Sequence, residues 1–146
     1  MTAAETIGFA GTERARRERF GVFAGAFFLG GAAQFFLLNT IAESLYQNYS
    51  VRDQALSELG VGQIAWIWNT SLFLIGLTVM FGGYFMYRSV GSRLTSILAF
   101  ILVIGCVGAS LVPMDSPIGI HGIFALLAFA GGGLFTLTSY RVIAGR

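Results

Sequence analysis

The stretch LTSILAFILVIGCVGASLV, residues 94–112, contains 19 consecutive residues without a charge. A helix needs roughly 20 mainly apolar residues to cross the hydrocarbon core of a bilayer. Three more stretches meet this requirement, at about 20–42, 64–87 and 118–140. The chain is 55% hydrophobic and only 11% charged, against about 25% charged in a soluble domain. We therefore predict an all-α integral membrane protein, an antiparallel four-helix transmembrane bundle.

The arginines indicate which way the spans are oriented. Residues 1–19, before the first span, contain four of the nine arginines, two bracket the turn between spans two and three, and two follow span four. Because cytoplasmic loops are enriched in basic residues, we expect both termini in the cytoplasm and the chain in the cell membrane. We interpret residues 1–19 as a basic cytoplasmic arm and 20–146 as the transmembrane domain. A basic arm beside a membrane is expected to contact anionic lipids, and we predict no nucleic-acid partner.

The segment between spans one and two is long enough to hold a helix of its own. In SVRDQALSELG, residues 50–60, Ser50 is a candidate N-cap, Asp53 follows three residues later and Gly60 is a candidate C-terminal residue. This pattern predicts a short extracellular amphipathic helix that covers the end of the bundle.

Amide side chains and the single histidine concentrate near the predicted outer face. They are Gln34, Asn39, Asn69 and His121. Polar groups inside a membrane are costly and commonly functional. We therefore predict a polar outer-leaflet pocket that binds a lipid or amphiphile, formed by a set of five residues. These ligand-binding candidates are Asn39, Glu58, Asn69, Asp115 and His121. The alternative is that the same groups only bond across helices and fix the bundle.

Two other functions remain open at this stage. One is an enzyme acting on a lipid head group, with His121 as general base and Asp115 or Glu58 orienting it. The other is a structural subunit whose glycine-rich helix faces, for example Gly21 and Gly25, dock a partner or a second copy. The spacing of His121 and the acids does not match a metal site, so neither a metal nor a cofactor is predicted.

The stretch PMDSPIGIHG, residues 113–122, joins spans three and four. Pro113 is expected to end span three, Ser116 to cap span four, and Pro117 to occupy its first position. His121 is then expected about one turn into span four, level with Asn39 and Asn69.

Several short motifs occur in a fixed order between residues 49 and 122. They are Tyr49-Ser50, Ser57-x-Leu59-Gly60-x-Gly62, Trp68-Asn69, Pro113-x-Asp115 and His121-Gly122. Their order resembles an uncharacterised prokaryotic membrane family, domain of unknown function 998. Val112 stands where that pattern has Phe, and members usually have six spans rather than four. The resemblance implies where a site lies and does not imply a reaction.

Overall fold

The computed structural model describes the backbone of residues 3–145 and the side chains of residues 8–145. It contains four long helices, α1 (Ala3–Leu45), α2 (Ala65–Val90), α3 (Arg93–Leu111) and α4 (His121–Ala144), and one short 3₁₀ helix, Leu56–Gly60. No strand occurs within residues 3–145. All four long helices are long and apolar enough to cross a membrane. The prediction of an all-helical chain with four candidate spans is thus confirmed.

Helix α1 continues without a break through the predicted basic arm. Its 43 residues correspond to about 65 Å at 1.5 Å per residue, roughly twice the thickness of a hydrocarbon core. The N-terminal part of α1 therefore extends beyond the bundle. Within it, Arg14 pairs with Glu18 at 3.0 Å, and Arg16 pairs with Glu13 at 2.9 Å. Both pairs lie one helical turn apart, the spacing at which opposite charges support a helix.

Contacts between α1 and α2 link residues in opposite chain order. The paired residues are Gly21 with Ser89, Phe27 with Phe81, Gln34 with Ser71, and Phe35 with Trp68. The number on α2 falls as the number on α1 rises, which is the order expected of antiparallel neighbours. The glycine contacts of α3 with its two neighbours follow the same order. They pair Gly76 with Val107, Gly83 with Ala99, Gly105 with Ala128, and Gly108 with Phe124.

These glycines permit close helix packing. A Cβ atom on Gly105 would meet the backbone of Ala128, and one on Gly108 would meet the ring of Phe124. Small residues at such points let helices approach one another in lipid. By contrast, Gly25, Gly30 and Gly133 have no neighbouring atom within 4 Å of an added Cβ. Association of copies through these open glycines stays a prediction.

The predicted start of the fourth helix is wrong. Helix α4 begins at His121, with Ile120 as its N-cap residue, so neither Ser116 nor Pro117 starts it. Instead, the Ser116 N–H donates to the Pro113 carbonyl oxygen at 3.0 Å, and the Gly119 N–H donates to the Ser116 carbonyl oxygen at 3.1 Å. Gly119 then adopts a φ of +67°, a left-handed conformation that glycine tolerates and that interrupts a helix.

The helix predicted over residues 50–60 is shorter and of another type. The Ser50 carbonyl oxygen accepts the N–H groups of Asp53 and Gln54, while its hydroxyl donates to the Asp53 carboxylate at 2.7 Å. Ser50 therefore closes a local turn instead of capping a helix, and only Leu56–Gly60 is helical, as a 3₁₀ turn.

Candidate functional site

The 3₁₀ helix is fixed to the ends of α1 and α2 by an apolar anchor. Leu59 is fully buried and belongs to a cluster with Ala42, Ile67 and Trp68. Gly60 lies directly against α2, because an added Cβ would stand 2.7 Å from Cδ1 of Trp68. The sequence SELG thus places its polar side chains against one end of the bundle, next to the predicted site.

The Asn69 side chain holds the 3₁₀ helix by a hydrogen bond to the backbone of that helix. Its Nδ2 donates to the carbonyl oxygen of Gly60 at 3.3 Å, and its Oδ1 would stand 2.9 Å from a Cβ atom added to Gly60. A buried carbonyl needs a donor, and Asn69 supplies it from the first turns of α2. This contact indicates that Asn69 positions the 3₁₀ helix.

The Glu58 carboxylate is occupied by its own turn. One oxygen accepts the Ala55 N–H and the other accepts Nε2 of Gln54, both at 2.9 Å. These two bonds hold the carboxylate in a defined position at the end of the bundle. An ionised carboxylate has lone pairs for further donors, so its binding capacity is not exhausted.

Asn39 lies near the C-terminal end of α1, with Glu43 one turn later. Its Nδ2 donates to Oε1 of Glu43 at 2.8 Å. Its Oδ1 is buried and has no hydrogen-bond partner in the described part of the chain. A buried acceptor without a donor is costly, and it marks a place where a donor from a ligand or a water would be stabilised.

Tyr49 feels the charge of both carboxylates, Glu43 and Glu58. Burial raises the pKa of Tyr49 above its ordinary value, and the negative charges of Glu43 and Glu58 raise it further. Its ring also packs against the Tyr46 ring, with centroids 5.8 Å apart. We call the following residues the polar end cluster: Asn39, Glu43, Tyr49, Gln54, Glu58 and Asn69. Sequence reasoning missed Glu43, Tyr49 and Gln54, although the four-residue spacing of Asn39 and Glu43 was a usable signal.

His121 and Asp115 have different surroundings. Nδ1 of His121 lies 2.6 Å from the carbonyl oxygen of Val112, and since a carbonyl can only accept, Nδ1 carries the proton. The contact that orients His121 is therefore made by Val112. Asp115 is exposed. Among the hydrogen bonds of residues 8–145, none joins His121 to another of the five candidates.

One contact links the turn after α3 to the polar end cluster. The Ser57 hydroxyl donates to the sulfur of Met114 at 3.2 Å. This brings the α3–α4 connection, which contains Asp115, next to the 3₁₀ helix. The five candidates thus lie at one end of the molecule, but only Asn39, Glu58 and Asn69 belong to the polar end cluster. His121 pairs separately with Val112, and Asp115 is exposed in the α3–α4 connection.

A further polar point, outside the predicted site, lies between α1 and α2. Nε2 of Gln34 donates to the carbonyl oxygen of Ser71 at 3.2 Å. Oε1 of Gln34 and the Ser71 hydroxyl are both buried without a partner in the part that the structure describes. The described residues include no group of three His, Cys, Asp or Glu side chains arranged to hold a metal.

Comparison with known proteins gives one result. A family model described as "Protein of unknown function (DUF998)" matches residues 28–145. No curated protein and no solved structure matches the chain.

Proposed function

The chain belongs to the DUF998 family, and on that premise we propose that it is a multi-pass membrane protein that binds an amphiphile at the polar end cluster. The head group of this amphiphile carries a positive charge, and its tail lies in the adjoining leaflet. The family's description names no activity, so the proposal depends on the chemistry of the cluster.

One observation carries the proposal. The negative charges of Glu43 and Glu58 both contribute to the raised pKa of Tyr49. The ion pairs of residues 8–145 are the two in the arm of α1, so neither carboxylate is paired with a cation. Two carboxylates close to one phenol, without a paired cation, favour a positively charged ligand. An ammonium group is also attracted to the face of a tyrosine ring. Tyr46 and Tyr49 provide such rings, and Oδ1 of Asn39 provides an acceptor.

The test is a titration of the protein in dodecyl maltoside micelles with dodecyltrimethylammonium. Trp68 lies against Gly60 beside the cluster. In a Trp66→Phe background, which removes the other tryptophan of the chain, the fluorescence of Trp68 reports binding of the ligand. We expect a saturable change, and we expect the double variant Glu43→Gln/Glu58→Gln to weaken the apparent affinity by about fivefold or more, because it removes two carboxylate–ammonium attractions.

The charge-matched control is Glu13→Gln/Glu18→Gln in the arm of α1. It removes the same number of negative charges at a distance over which salt screens them, and we expect unchanged affinity. The proposal fails if both double variants behave alike, or if the fluorescence change never saturates.

We also propose that the arginine-rich end lies in the cytoplasm, which would place the polar end cluster at the outer leaflet. The support is the arginine distribution. The chain has one cysteine, Cys106, which is buried. In a Cys106→Ala background, an impermeant maleimide applied to intact cells should label Ser57→Cys and spare Ser92→Cys. The reverse pattern would overturn the orientation.

A further inference from the structure

A groove runs between α2 and α3 toward the arginine-rich end of the bundle. It has a volume of about 210 Å³. Its floor is formed by Val79, Gly83 and Ala99, which are all buried. An added Cβ on Gly83 would come within 3.0 Å of the Ala99 Cβ, so the absence of a side chain at Gly83 lets the helices approach and leaves the groove open. Its depth and apolar floor suit a hydrocarbon chain.

The walls of the groove become polar toward its end. Tyr84 and Tyr87 line it from α2, and Ser96 lines it from α3. The deeper wall residues, such as Phe100 and Val103, are apolar. An apolar trough with hydroxyl groups at one end matches the polarity of a lipid, whose tail lies toward the bilayer centre and whose head lies at the interface.

Two arginines flank the residues that line the polar end of this groove, although neither arginine lines it directly. Arg88 follows Tyr84 by one helical turn, and its Nη1 donates to the Tyr84 hydroxyl at 2.8 Å. Its guanidinium carbon also lies 4.9 Å from the centroid of the Phe20 ring. Stacking on an aromatic face holds the group in place, and only one of its five N–H donors is used by Tyr84.

Arg93 begins α3, three residues before Ser96, so it lies on the groove side of that helix. Residues 84–96, which form the end of the groove, contain these two arginines and no acidic residue. The acidic residues Glu13 and Glu18 of the adjoining arm of α1 pair with Arg16 and Arg14 respectively. The net charge at this end is therefore positive, the opposite of the polar end cluster. The planar guanidinium group of arginine can donate two hydrogen bonds at once to a phosphate group.

We propose that this groove binds an anionic phospholipid, with one acyl chain along Gly83 and Ala99 and the phosphate at Arg88 and Arg93. Surrounding lipid tails are as apolar as the groove, so burial of the tail gives little preference for any one lipid. Selection comes from the head group, to which each interfacial arginine contributes an attraction equivalent to roughly fivefold in affinity. This site is independent of the proposed function, since it lies at the other end of the bundle and selects the opposite charge.

The experiment is native mass spectrometry of the protein in dodecyl maltoside with equal amounts of phosphatidylglycerol and phosphatidylcholine of the same acyl chains. We expect the wild type to retain phosphatidylglycerol preferentially. Arg88→Gln/Arg93→Gln should lower that preference by about 25-fold. For a charge-matched comparison, Arg141→Gln removes one positive charge from the same end and should retain the preference, whereas Arg88→Gln alone should lower it by about fivefold.

A second variant tests the groove separately from the charge. Val103→Phe fills the apolar part and leaves both arginines in place, so it should reduce retention of phosphatidylglycerol. Leu137→Phe on the exposed face of α4 is its control. The proposal is overturned if the wild type shows no preference between the lipids, or if Arg88→Gln and Arg141→Gln lower the preference equally. If Val103→Phe does not fold, the arginine variants alone test the proposal, because they change only exposed side chains.

Discussion

His121 closes the connection between α3 and α4 by donating from Nδ1 to the carbonyl oxygen of Val112, 2.6 Å away. The imidazole is 9% exposed, so water replaces this bond poorly. We expect His121→Ala to lower the free energy of unfolding by about 1–3 kcal/mol, because it leaves the half-buried Val112 carbonyl without its donor and empties the space of a buried side chain. Denaturant titration in detergent measures this change.

The matched variant for this bond is His121→Asn. Nδ2 of asparagine takes the place of Nδ1, so the variant should recover a large part of the loss. If His121→Ala is as stable as the wild type and instead loses a bound ligand, a structural role for the imidazole is wrong.

The bond between Asn69 and Gly60 should control how the 3₁₀ helix docks. Asn69→Ala removes a single donor at 3.3 Å and should cost about 1 kcal/mol. Asn69→Asp should cost more, because it turns an oxygen toward the carbonyl. Trp68 fluorescence should shift to longer wavelength as the segment detaches. An aspartate variant equal to the wild type in stability and emission would contradict this docking role.

Two glycines on the facing helices α3 and α4 differ in what an added methyl group would meet. Gly105→Ala would meet the Ala128 backbone, which cannot rotate away, so we expect a loss of about 1–3 kcal/mol from overpacking. Gly133→Ala meets nothing within 4 Å and should be tolerated. Both variants are compared by unfolding in detergent. Equal stability of the two would show that α3 and α4 do not pack as described.

Ionisation of Tyr49 should depend on the polar end cluster. Burial, followed by Glu43 and Glu58, raises the pKa of its phenol above 10.0. Difference absorbance between wild type and Tyr49→Phe should show tyrosinate forming above that pH. The pKa should fall toward the ordinary value in Glu43→Gln/Glu58→Gln, while remaining raised because burial is the largest cause.

The same shift predicts how stability depends on pH. The folded chain keeps the phenol proton to a higher pH than the unfolded chain does, so the contribution of Tyr49 to stability is complete below about pH 10. It is lost as the pH rises through the folded pKa. Tyr49→Phe should remove this part of the alkaline decline, and identical curves for the two proteins would refute the assignment.

The spans were predictable because length and apolarity are properties of the local sequence. Residues 94–112 carry no charge and were predicted as a span, and α3 occupies Arg93–Leu111. The short helix between α1 and α2 was also foreseen, but not its 3₁₀ type. The sequence around Ser50 is compatible with a helix N-cap and also with a turn that the carbonyl and hydroxyl of Ser50 close. Local sequence patterns do not show which of these two structures is more stable.

The sequence by itself determined the four apolar segments, the concentration of eight of the nine arginines on one side of the predicted spans, and the end of the molecule at which polar groups gather. Tertiary structure decided the partners of those groups. Asn69 bonds Gly60 and His121 bonds Val112, so neither bonds the other. The reason is that each partner is a backbone carbonyl in a connecting segment. Its position depends on turns such as that at Gly119 and on the burial of Leu59, which only the packed chain establishes.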